Sequence, residues 1–383
     1  MQSKLTSRLA RINSVIKNSP TMAYRLSRKG LGLSNSSSLY YVTPNANWVV
    51  DWIGHYLATH IKNQTGYTIS LTSTPHTLVD HIIHYGDLWS FLSSAKFIHN
   101  RFNTIISTIF HGNLVETEVH LSSAIKRFID LSCLPERIVT SSQIMETRLT
   151  SWGIPPEKII RIPLGVDTNH FRPASTESRL VNRRQLNIPD DAICIGSFQK
   201  DGEGWGDGLT PKMIKGPDIF LQVVKKLSQQ YKLHILLTAS ARGYVKKGLD
   251  TLNIPYTHHA LSNYLDIVNY YHCLDMYLVT ARDEGGPKAI LEALACGVPL
   301  VSTKVGLAPD IITHNENGLL TEIEDVETLT TLAAQLSESP NERERLTENG
   351  LAMIHNYDWQ KVAAQYYQNL YLPLLSTKQG QKR

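Results

Sequence analysis

The chain has 383 residues and a mass of 43.1 kDa, a size typical of two domains of about 150 residues each. With 42% hydrophobic and 19% charged residues it can form a packed core, which excludes a wholly disordered chain. No apolar run reaches the roughly 18 residues of a membrane-spanning helix. The four cysteines lie far apart, without the paired spacing of a zinc site or a disulfide scaffold. Reduced thiols and a cytoplasmic protein are the simplest interpretation.

The net charge of +4 is distributed unevenly. Residues 1–190 hold 20 Lys and Arg against 12 Asp and Glu, or +8, whereas residues 191–383 hold 18 against 22, or −4. The first acidic residue is Asp51, and the segment before it lacks the apolar core of a secretory signal. We therefore predict a basic N-terminal arm over residues 1–35. It is either a flexible, solvated tail or a segment that lies on anionic lipid at the cytoplasmic face of a membrane.

The first half of the chain contains a series of short apolar runs that predict strands. A helix from Trp48 to about Ile61 follows the first of them, and further helical segments separate the others. Strands that alternate with helices are typical of parallel βαβ units and of a doubly wound sheet. We expect this sheet to form a domain over residues 36–185. Its predicted strands are 39–42, 67–71, 81–85, 104–109 and 137–141.

The same alternation begins again after a polar stretch at residues 175–189. A Gly-rich segment, 201–215, and an amphipathic helix, 216–229, follow the first strand of this half. We predict a second Rossmann-like domain over residues 186–358, and a C-terminal helix and tail, 359–383, that cross back to the first domain. The predicted fold class is α/β, with two doubly wound parallel sheets facing a central cleft. The predicted strands of this half are 194–198, 233–237, 276–279 and 299–302.

The segment after strand 276–279 is the most informative part of the sequence. Gly285 and Gly286 permit a turn whose backbone can approach a ligand closely. Pro287 suits the first position of a helix, and Gly297 suits its C-terminal end. A helix that begins at the carboxyl end of a parallel strand offers unpaired N–H groups and a partial positive charge. The sequence therefore predicts a phosphate site at this turn.

Two glutamates flank the turn. Glu284 precedes the helix, near the place where a sugar attached to a diphosphate would lie. Glu292 shares a helix face with Lys288, four residues before it. A carboxylate accepts hydrogen bonds from two vicinal hydroxyls, such as those of a ribose. From the spacing alone, a helix-start acid and a Glu–Lys surface pair explain these residues equally well.

The pattern Glu284-x7-Glu292 resembles the E-x7-E signature of the family 4 retaining glycosyltransferases, which have the GT-B fold of two Rossmann-like domains. The pair Lys215-Gly216 is similar to the Lys-Gly pair that opens a helix in the donor domain of that family. The resemblance covers residues 137–375. Further segments similar to that family are 162–167, 171–173, 293–301 and 317–320.

This resemblance implies a role for each matching position. Glu292 would bind the nucleotide ribose, Glu284 would contact the hydroxyls of the donor sugar, and Lys215 would neutralise the diphosphate. His111, in the His-Gly that follows strand 104–109, would reach the donor sugar from the first domain. The turn between the glutamates would bind sugar or phosphate through its backbone and the start of its helix; these positions are Gly285, Gly286, Pro287 and Lys288.

The sequence departs from the family pattern at the diphosphate. The Arg that many relatives carry after the first strand of the second domain is missing, because Gln199-Lys200 and the Gly-rich insertion stand there instead. Lys200 and Arg242 are the candidates to replace it, since Arg242 lies near the carboxyl end of a later strand. No Asp-x-Asp pair occurs in the sequence to hold a divalent cation on the diphosphate. We therefore predict no metal and no cofactor besides the nucleotide-sugar donor.

The first domain is expected to bind a glycan or lipid-linked acceptor, and its positive charge would permit peripheral contact with an anionic membrane. The loop Pro44–Trp48 is the acceptor contact that we predict from position. Aromatic residues nearby either stack on sugar rings or belong to the core; they are Trp48, Trp52, Trp89, Tyr40, Tyr41, Tyr56 and Tyr85. Nucleic acid is disfavoured, since no recognised binding motif accompanies the basic residues.

The leading hypothesis is a retaining hexosyltransferase that acts in polysaccharide or glycolipid biosynthesis. A nucleotide-sugar epimerase of the same fold is one alternative, but it needs further acid and base groups in the cleft. A degenerate transferase that only binds sugars or partners is the other, and the missing Arg is the only feature that favours it.

Overall fold

The computed structural model describes residues 38–45, 49–98, 102–114, 119–204 and 206–380. The predicted basic arm, residues 1–35, and residues 46–48 of the predicted acceptor loop lie outside these ranges. The chain divides into two compact units. The first consists of Met1–Thr140, Met145–Ile162 and Gln360–Arg383, and the second consists of Ser141–Ile144 and Pro163–Trp359.

The main chain passes from the first unit to the second at Ile162, whereas the sequence analysis sets the boundary at residue 185. The physical reason is the helix Thr176–Gln185, which is bound to the second unit. Arg179 and Arg183 on this helix pair with the two carboxylate oxygens of Asp275 at 2.8 and 3.2 Å.

The first unit contains one parallel sheet of six strands in the order β2-β1-β3-β4-β5-β6. The apolar side chains of β1, β3, β4 and β5 pack against the neighbouring helices to form its core. The strands are β1 Leu39–Val42, β2 Ile69–Thr72, β3 Ile82–Tyr85, β4 Thr104–Thr108, β5 Arg137–Thr140 and β6 Ile159–Arg161. The helices before β6 are α1 Val49–Thr65, α2 Leu88–Ser94, α3 Val119–Asp130 and α4 Gln143–Ser151.

The second unit has a second parallel sheet of six strands, in the order β12-β11-β10-β7-β8-β9. Its strands are β7 Ile193–Ser197, β8 Leu233–Thr238, β9 Tyr256–His259, β10 Met276–Val279, β11 Leu300–Thr303 and β12 Leu319–Thr321. Its helices are α5 Thr176–Gln185, α6 Pro217–Leu227, α7 Gly243–Leu252, α8 Ile267–Tyr271, α9 Lys288–Ala295, α10 Ala308–Ile311, α11 Val326–Glu338 and α12 Pro340–Ile354.

Two parallel sheets covered by helices confirm the predicted α/β class. The strands that the sequence analysis missed, β6, β9 and β12, all lie at the edge of a sheet. Strand β9 is partly exposed and carries two histidines, so it has no apolar run to reveal it. Strands β6 and β12 are only three residues long.

The C-terminal segment is predicted as one helix from Trp359 to about Leu375, but the structure divides it. An α-helix, α13 Trp359–Gln365, passes into a π-helical turn, Tyr366–Tyr371, and then into α14 Leu372–Gly380. The wider π turn brings residues five apart onto one face. Tyr366 and Tyr371 are therefore both buried, with ring centroids 6.0 Å apart. In the part of the chain that the structure describes, no helix is both long enough and apolar enough to cross a membrane.

Candidate active site

The second sheet fixes the place of the candidate site. Strand β7 lies between β8 and β10, so the direction of winding reverses between β7 and β10. Ligands of doubly wound proteins bind outside the carboxyl ends of the strands at such a reversal. The segment after β7 leads to Lys215, and the segment after β10 leads to Glu284. The topology therefore brings both predicted residues to the same edge of the sheet.

The loop that carries Lys215 is held close to the end of β10. It ends at Gly216, whose backbone has φ 63° and ψ 39°, a left-handed conformation that favours glycine. A Cβ at Gly216 would overlap the carbonyl oxygen of Thr280. The Thr280 hydroxyl donates a 2.9 Å hydrogen bond to the Gly216 carbonyl, and Gln199 donates one of 2.8 Å to the Lys215 carbonyl.

Arg282 joins the Lys215 loop to the loop that carries Glu284. Its guanidinium donates two 2.8 Å hydrogen bonds to the carboxylate of Asp218 and one of 2.8 Å to the carbonyl of Met213. Its Nε also lies 2.6 Å from Glu324. The hydrogen bonds that Arg282 donates to Asp218 are the main reason that the pKa of Arg282 is raised. Arg282, which is not among the residues predicted from the sequence, therefore holds two loops of the site in register.

Lys215 and Glu284 form an ion pair through Nζ and Oε1. Their side chains are 17% and 14% exposed, so a ligand can reach both while most of each side chain is shielded from water. In this position the ammonium is available to a phosphate and the carboxylate is available to sugar hydroxyls. The structure therefore brings together the two residues that the sequence analysis assigns to the diphosphate and to the donor sugar.

The turn after Glu284 leads directly into α9. Gly286 has no room for a side chain, because a Cβ there would lie 2.6 Å from Leu307 and 2.8 Å from Leu164. Pro287 is the N-cap and Lys288 the first helical residue, one position later than predicted for Pro287. At the other end, Gly297 has φ 70°, and Val298 N–H donates to the Ala293 carbonyl at 2.9 Å. This closure is a Schellman C-cap, as expected for Gly297.

Glu292 is 3% exposed and lies among three hydrogen-bond donors. The hydroxyl of Tyr264 donates to Oε1, and the hydroxyl of Tyr271 donates to Oε2 at 3.0 Å. The ammonium of Lys288 lies 3.4 Å from Oε1 and 3.8 Å from the centroid of the Tyr264 ring. The Lys288–Glu292 pair is therefore a buried cluster with two tyrosines and not the surface pair that the spacing alone allows.

Burial shifts the pKa values of Tyr271 and Lys288 in opposite directions, whereas the charge of Glu292 acts to raise both. Burial is the main cause that raises the pKa of Tyr271, and the nearby Glu292 carboxylate adds to it. Burial lowers the pKa of Lys288, and the attraction of Glu292 opposes that change. The phenol of Tyr271 therefore remains a hydrogen-bond donor to Glu292 throughout the neutral pH range.

Arg242 does not lie open to a phosphate in the structure. Its side chain is buried, and its Nη1 donates to the carbonyls of Ser197 and Gln199 at 2.5 and 2.7 Å. Its Nε lies 3.0 Å from Oδ1 of Asp201, at the start of the Gly-rich insertion. In this structure the charge of Arg242 is therefore paired with the buried Asp201, and its contact with a diphosphate stays a prediction. Lys200 is partly buried just after β7.

The remaining predicted residue, His111, belongs to the first unit. It follows the carboxyl end of β4 and is partly buried. Gly112 beside it has φ 132°, and its carbonyl accepts a 2.9 Å hydrogen bond from Arg148. His111 therefore lies just beyond the carboxyl end of β4, on a loop that Arg148 holds in place.

The aromatic residues of the first unit divide into two kinds. Tyr41 and Tyr85 are 1% and 3% exposed and belong to the core. Trp89 is 53% exposed at the start of α2. Among the described residues, no group of three or more His, Cys, Asp and Glu side chains lies close enough together to hold a metal ion.

Sequence reasoning missed the residues that position the site. Arg282 stands two residues before Glu284 at the end of a strand, and this position is a signal that could have identified it. Tyr264 and Tyr271 lie far from the motif in sequence and have no distinctive spacing to Glu292. Only the fold brings their hydroxyls to the carboxylate.

Comparison with known proteins gives independent information about this chain. Residues 209–353 match the family model described as "Glycosyl transferases group 1". The chain is 26% identical over 282 residues to the MMP alpha-(1->4)-mannosyltransferase of Mycolicibacterium hassiacum, a match of 68% of this chain and 63% of that protein. It is 24% identical over 243 residues to the D-inositol 3-phosphate glycosyltransferase of Xylanimonas cellulosilytica, covering 59% and 54% of the two chains. The matches thus cover less than two thirds of these relatives' own length.

A solved structure with a similar fold is that of HepE from Anabaena in complex with UDP-glucose. The TM-score is 0.71 and the identity 15%, with 87% of this chain and 99% of that chain covered. This likeness confirms the expected GT-B fold class. The family match over residues 209–353 and the curated relatives together support a family 4 glycosyltransferase.

Proposed function

We propose that the chain is a retaining glycosyltransferase that moves a hexose from a nucleotide-sugar donor to a glycan or lipid-linked acceptor, without a bound metal. The observation that carries this proposal is the Lys215–Glu284 ion pair at the reversal point of the second sheet, beside a helix that begins at Lys288. The family match and a relative named as a mannosyltransferase support the same reaction class.

The donor site follows from the chemistry of these groups. Lys215 and the N–H groups at the start of α9 attract the diphosphate. Glu284 accepts hydrogen bonds from sugar hydroxyls, and Glu292 accepts them from the ribose. Gly285 and Gly286 let the backbone approach the sugar closely.

The reaction breaks the bond between the anomeric carbon and the diphosphate oxygen. It forms a bond from the same carbon to the acceptor oxygen on the same face of the sugar, and the acceptor proton passes to the leaving phosphate. Negative charge grows on that phosphate in the transition state, where the fixed ammonium of Lys215 stabilises it. A contact of this kind contributes on the order of 2–4 kcal/mol. His111, on the first unit, is proposed to contact the donor sugar.

We place the acceptor at the carboxyl edge of the first sheet. Three apolar side chains that follow strands of this sheet are exposed. Val49 after β1, Trp89 after β3 and Leu114 after β4 are 41%, 53% and 38% exposed. A lipid-linked acceptor supplies apolar surface to cover them, and anionic lipid would attract the basic N-terminal part of the chain. Polysaccharide or glycolipid biosynthesis at the cytoplasmic face of a membrane is the setting that we propose.

A panel of UDP-, GDP- and ADP-sugars, incubated without acceptor, tests the donor assignment. We expect slow hydrolysis of one nucleotide class, with release of the nucleoside diphosphate and free sugar. Conversion to a different nucleotide sugar without release would indicate an epimerase. If none of the three classes binds or is hydrolysed, the transferase proposal is wrong and a non-catalytic binding protein is favoured.

A further inference from the structure

The carboxylate of Glu292 has too few acceptor positions for its present partners and a ribose together. A carboxylate accepts about four hydrogen bonds. Tyr264 donates a hydrogen bond to Oε1 and Tyr271 donates one to Oε2, and the ammonium of Lys288 takes up a third position as an ion pair 3.4 Å from Oε1. A vicinal diol needs two further positions, so at least one of the three donors has to leave when a ribose binds.

The three donors differ in how easily they can leave. Tyr271 is completely buried, and its ring packs edge-on against Phe198 with centroids 4.8 Å apart. Lys288 lies in the first turn of α9, four residues from Glu292 on the same helix. Tyr264 is partly exposed and begins a single 3₁₀ turn, Tyr264–Asp266. Asn263 before this turn and Asp266 at its end are both exposed.

We propose that Tyr264 is a specificity-determining residue whose hydroxyl occupies the position of a ribose hydroxyl at Glu292 and gives way to it. This inference rests on the proposed function, since it assumes that Glu292 binds the ribose. A ligand without a vicinal diol offers nothing to replace the Tyr264 hydrogen bond and leaves the tyrosine in place. The exchange therefore favours ribonucleotides over ligands that lack both hydroxyls.

This arrangement predicts that Tyr264→Phe increases the affinity for a ribonucleotide. Tyr264→Phe retains the ring over which Lys288 lies and removes only the competing hydroxyl. If the hydroxyl holds Oε1 for about nine-tenths of the time, it weakens the apparent affinity for a ribonucleotide about tenfold. Its removal then tightens binding about tenfold, or about 1.4 kcal/mol.

Isothermal titration of the full chain with UDP, GDP and ADP, and with their 2′,3′-dideoxy counterparts, tests this inference. We expect Tyr264→Phe to bind the preferred ribonucleotide about tenfold more tightly than wild type and to bind its dideoxy counterpart with unchanged affinity. Tyr270→Phe is the matched control, because its hydroxyl bonds to His259 and lies on the adjacent helix α8. It should leave both affinities unchanged.

Unchanged or weaker ribonucleotide binding by Tyr264→Phe overturns the inference. An equal gain in affinity for the ribonucleotide and its dideoxy counterpart also overturns it, because that result indicates that the hydroxyl only obstructs the site sterically. Failure of the proposed function is seen in the wild type instead. Equal wild-type affinity for ribo- and dideoxynucleotides removes the ribose assignment of Glu292, and absence of binding by all three ribonucleotides removes the donor site itself. Either result overturns the inference as well.

Discussion

His84 gives the fold a dependence on pH whose size can be worked out. Its ring lies in the first unit and is 0% exposed. Nδ1 is 2.7 Å from the hydroxyl of Tyr371 on the C-terminal segment, and Nε2 is 2.7 Å from the hydroxyl of Thr108 on β4. Hydroxyls both donate and accept, so the neutral ring is fully bonded. Burial lowers the pKa of His84 from 6.5 to about 3.

The sign follows from proton binding. Below pH 6.5 the unfolded chain takes up a proton at this residue that the folded chain does not take up until about pH 3. Stability therefore falls as the pH drops through this range. Between pH 7.5 and pH 5, the two pKa values give a loss of about 2 kcal/mol in the free energy of unfolding of the first unit.

Hydrogen exchange of peptides that cover β3, corrected for intrinsic rates, measures this loss within the first unit alone. His84→Gln is the informative variant, because an amide donates and accepts but does not titrate. We expect the variant to be less stable at pH 7.5 and to lose about 2 kcal/mol less than wild type between pH 7.5 and pH 5. The same pH dependence in both proteins would show that protonation of His84 does not cause the loss of stability.

Two further predictions concern the loops of the candidate site. Arg282→Lys retains the charge but loses the bidentate contact with Asp218, so we expect donor turnover to fall about tenfold while nucleoside diphosphate binding changes little. The pair Arg345–Glu342 supplies the control variant, Arg345→Lys. Equal losses of turnover in both variants would contradict a positioning role for Arg282. Gly216→Ala should lower the free energy of unfolding by about 2 kcal/mol or more in a denaturant titration. The backbone at residue 216 has φ 63°, which alanine adopts only with strain, and the added Cβ would overlap the Thr280 carbonyl. Wild-type stability would show that the loop adjusts freely.

The central strands were predictable because each is an unbroken run of mostly apolar residues in the sequence. Strand β8, for example, is buried at all six positions, and five of those residues were predicted as a strand. The edge strand β9 carries polar side chains and is partly exposed. It pairs with a neighbour on one side only, strand β8. Such a strand is defined by its neighbour and not by its own composition.

The site was predictable to the extent that topology determines it. Lys215 and Glu284 follow strands that lie side by side, so they had to meet at one edge of the sheet. The direction of a side chain cannot be read in this way. Arg242 also follows a strand at that edge, but a buried acid from the insertion, Asp201, turns its guanidinium into the interior. The same limit applies to Tyr264, whose contact with Glu292 depends on where a single turn lies.

The turnover of Lys215→Ala, measured with the donor that the panel identifies, shows whether this side chain acts on the leaving group. We propose that the ammonium beside Glu284 stabilises the leaving diphosphate, which is more negative in the transition state than in the bound donor. We predict that kcat for donor hydrolysis falls because the activation free energy rises by about 2–4 kcal/mol. The effect on KM should be smaller. A variant that turns over at the wild-type rate would show that Lys215 does not stabilise the leaving diphosphate.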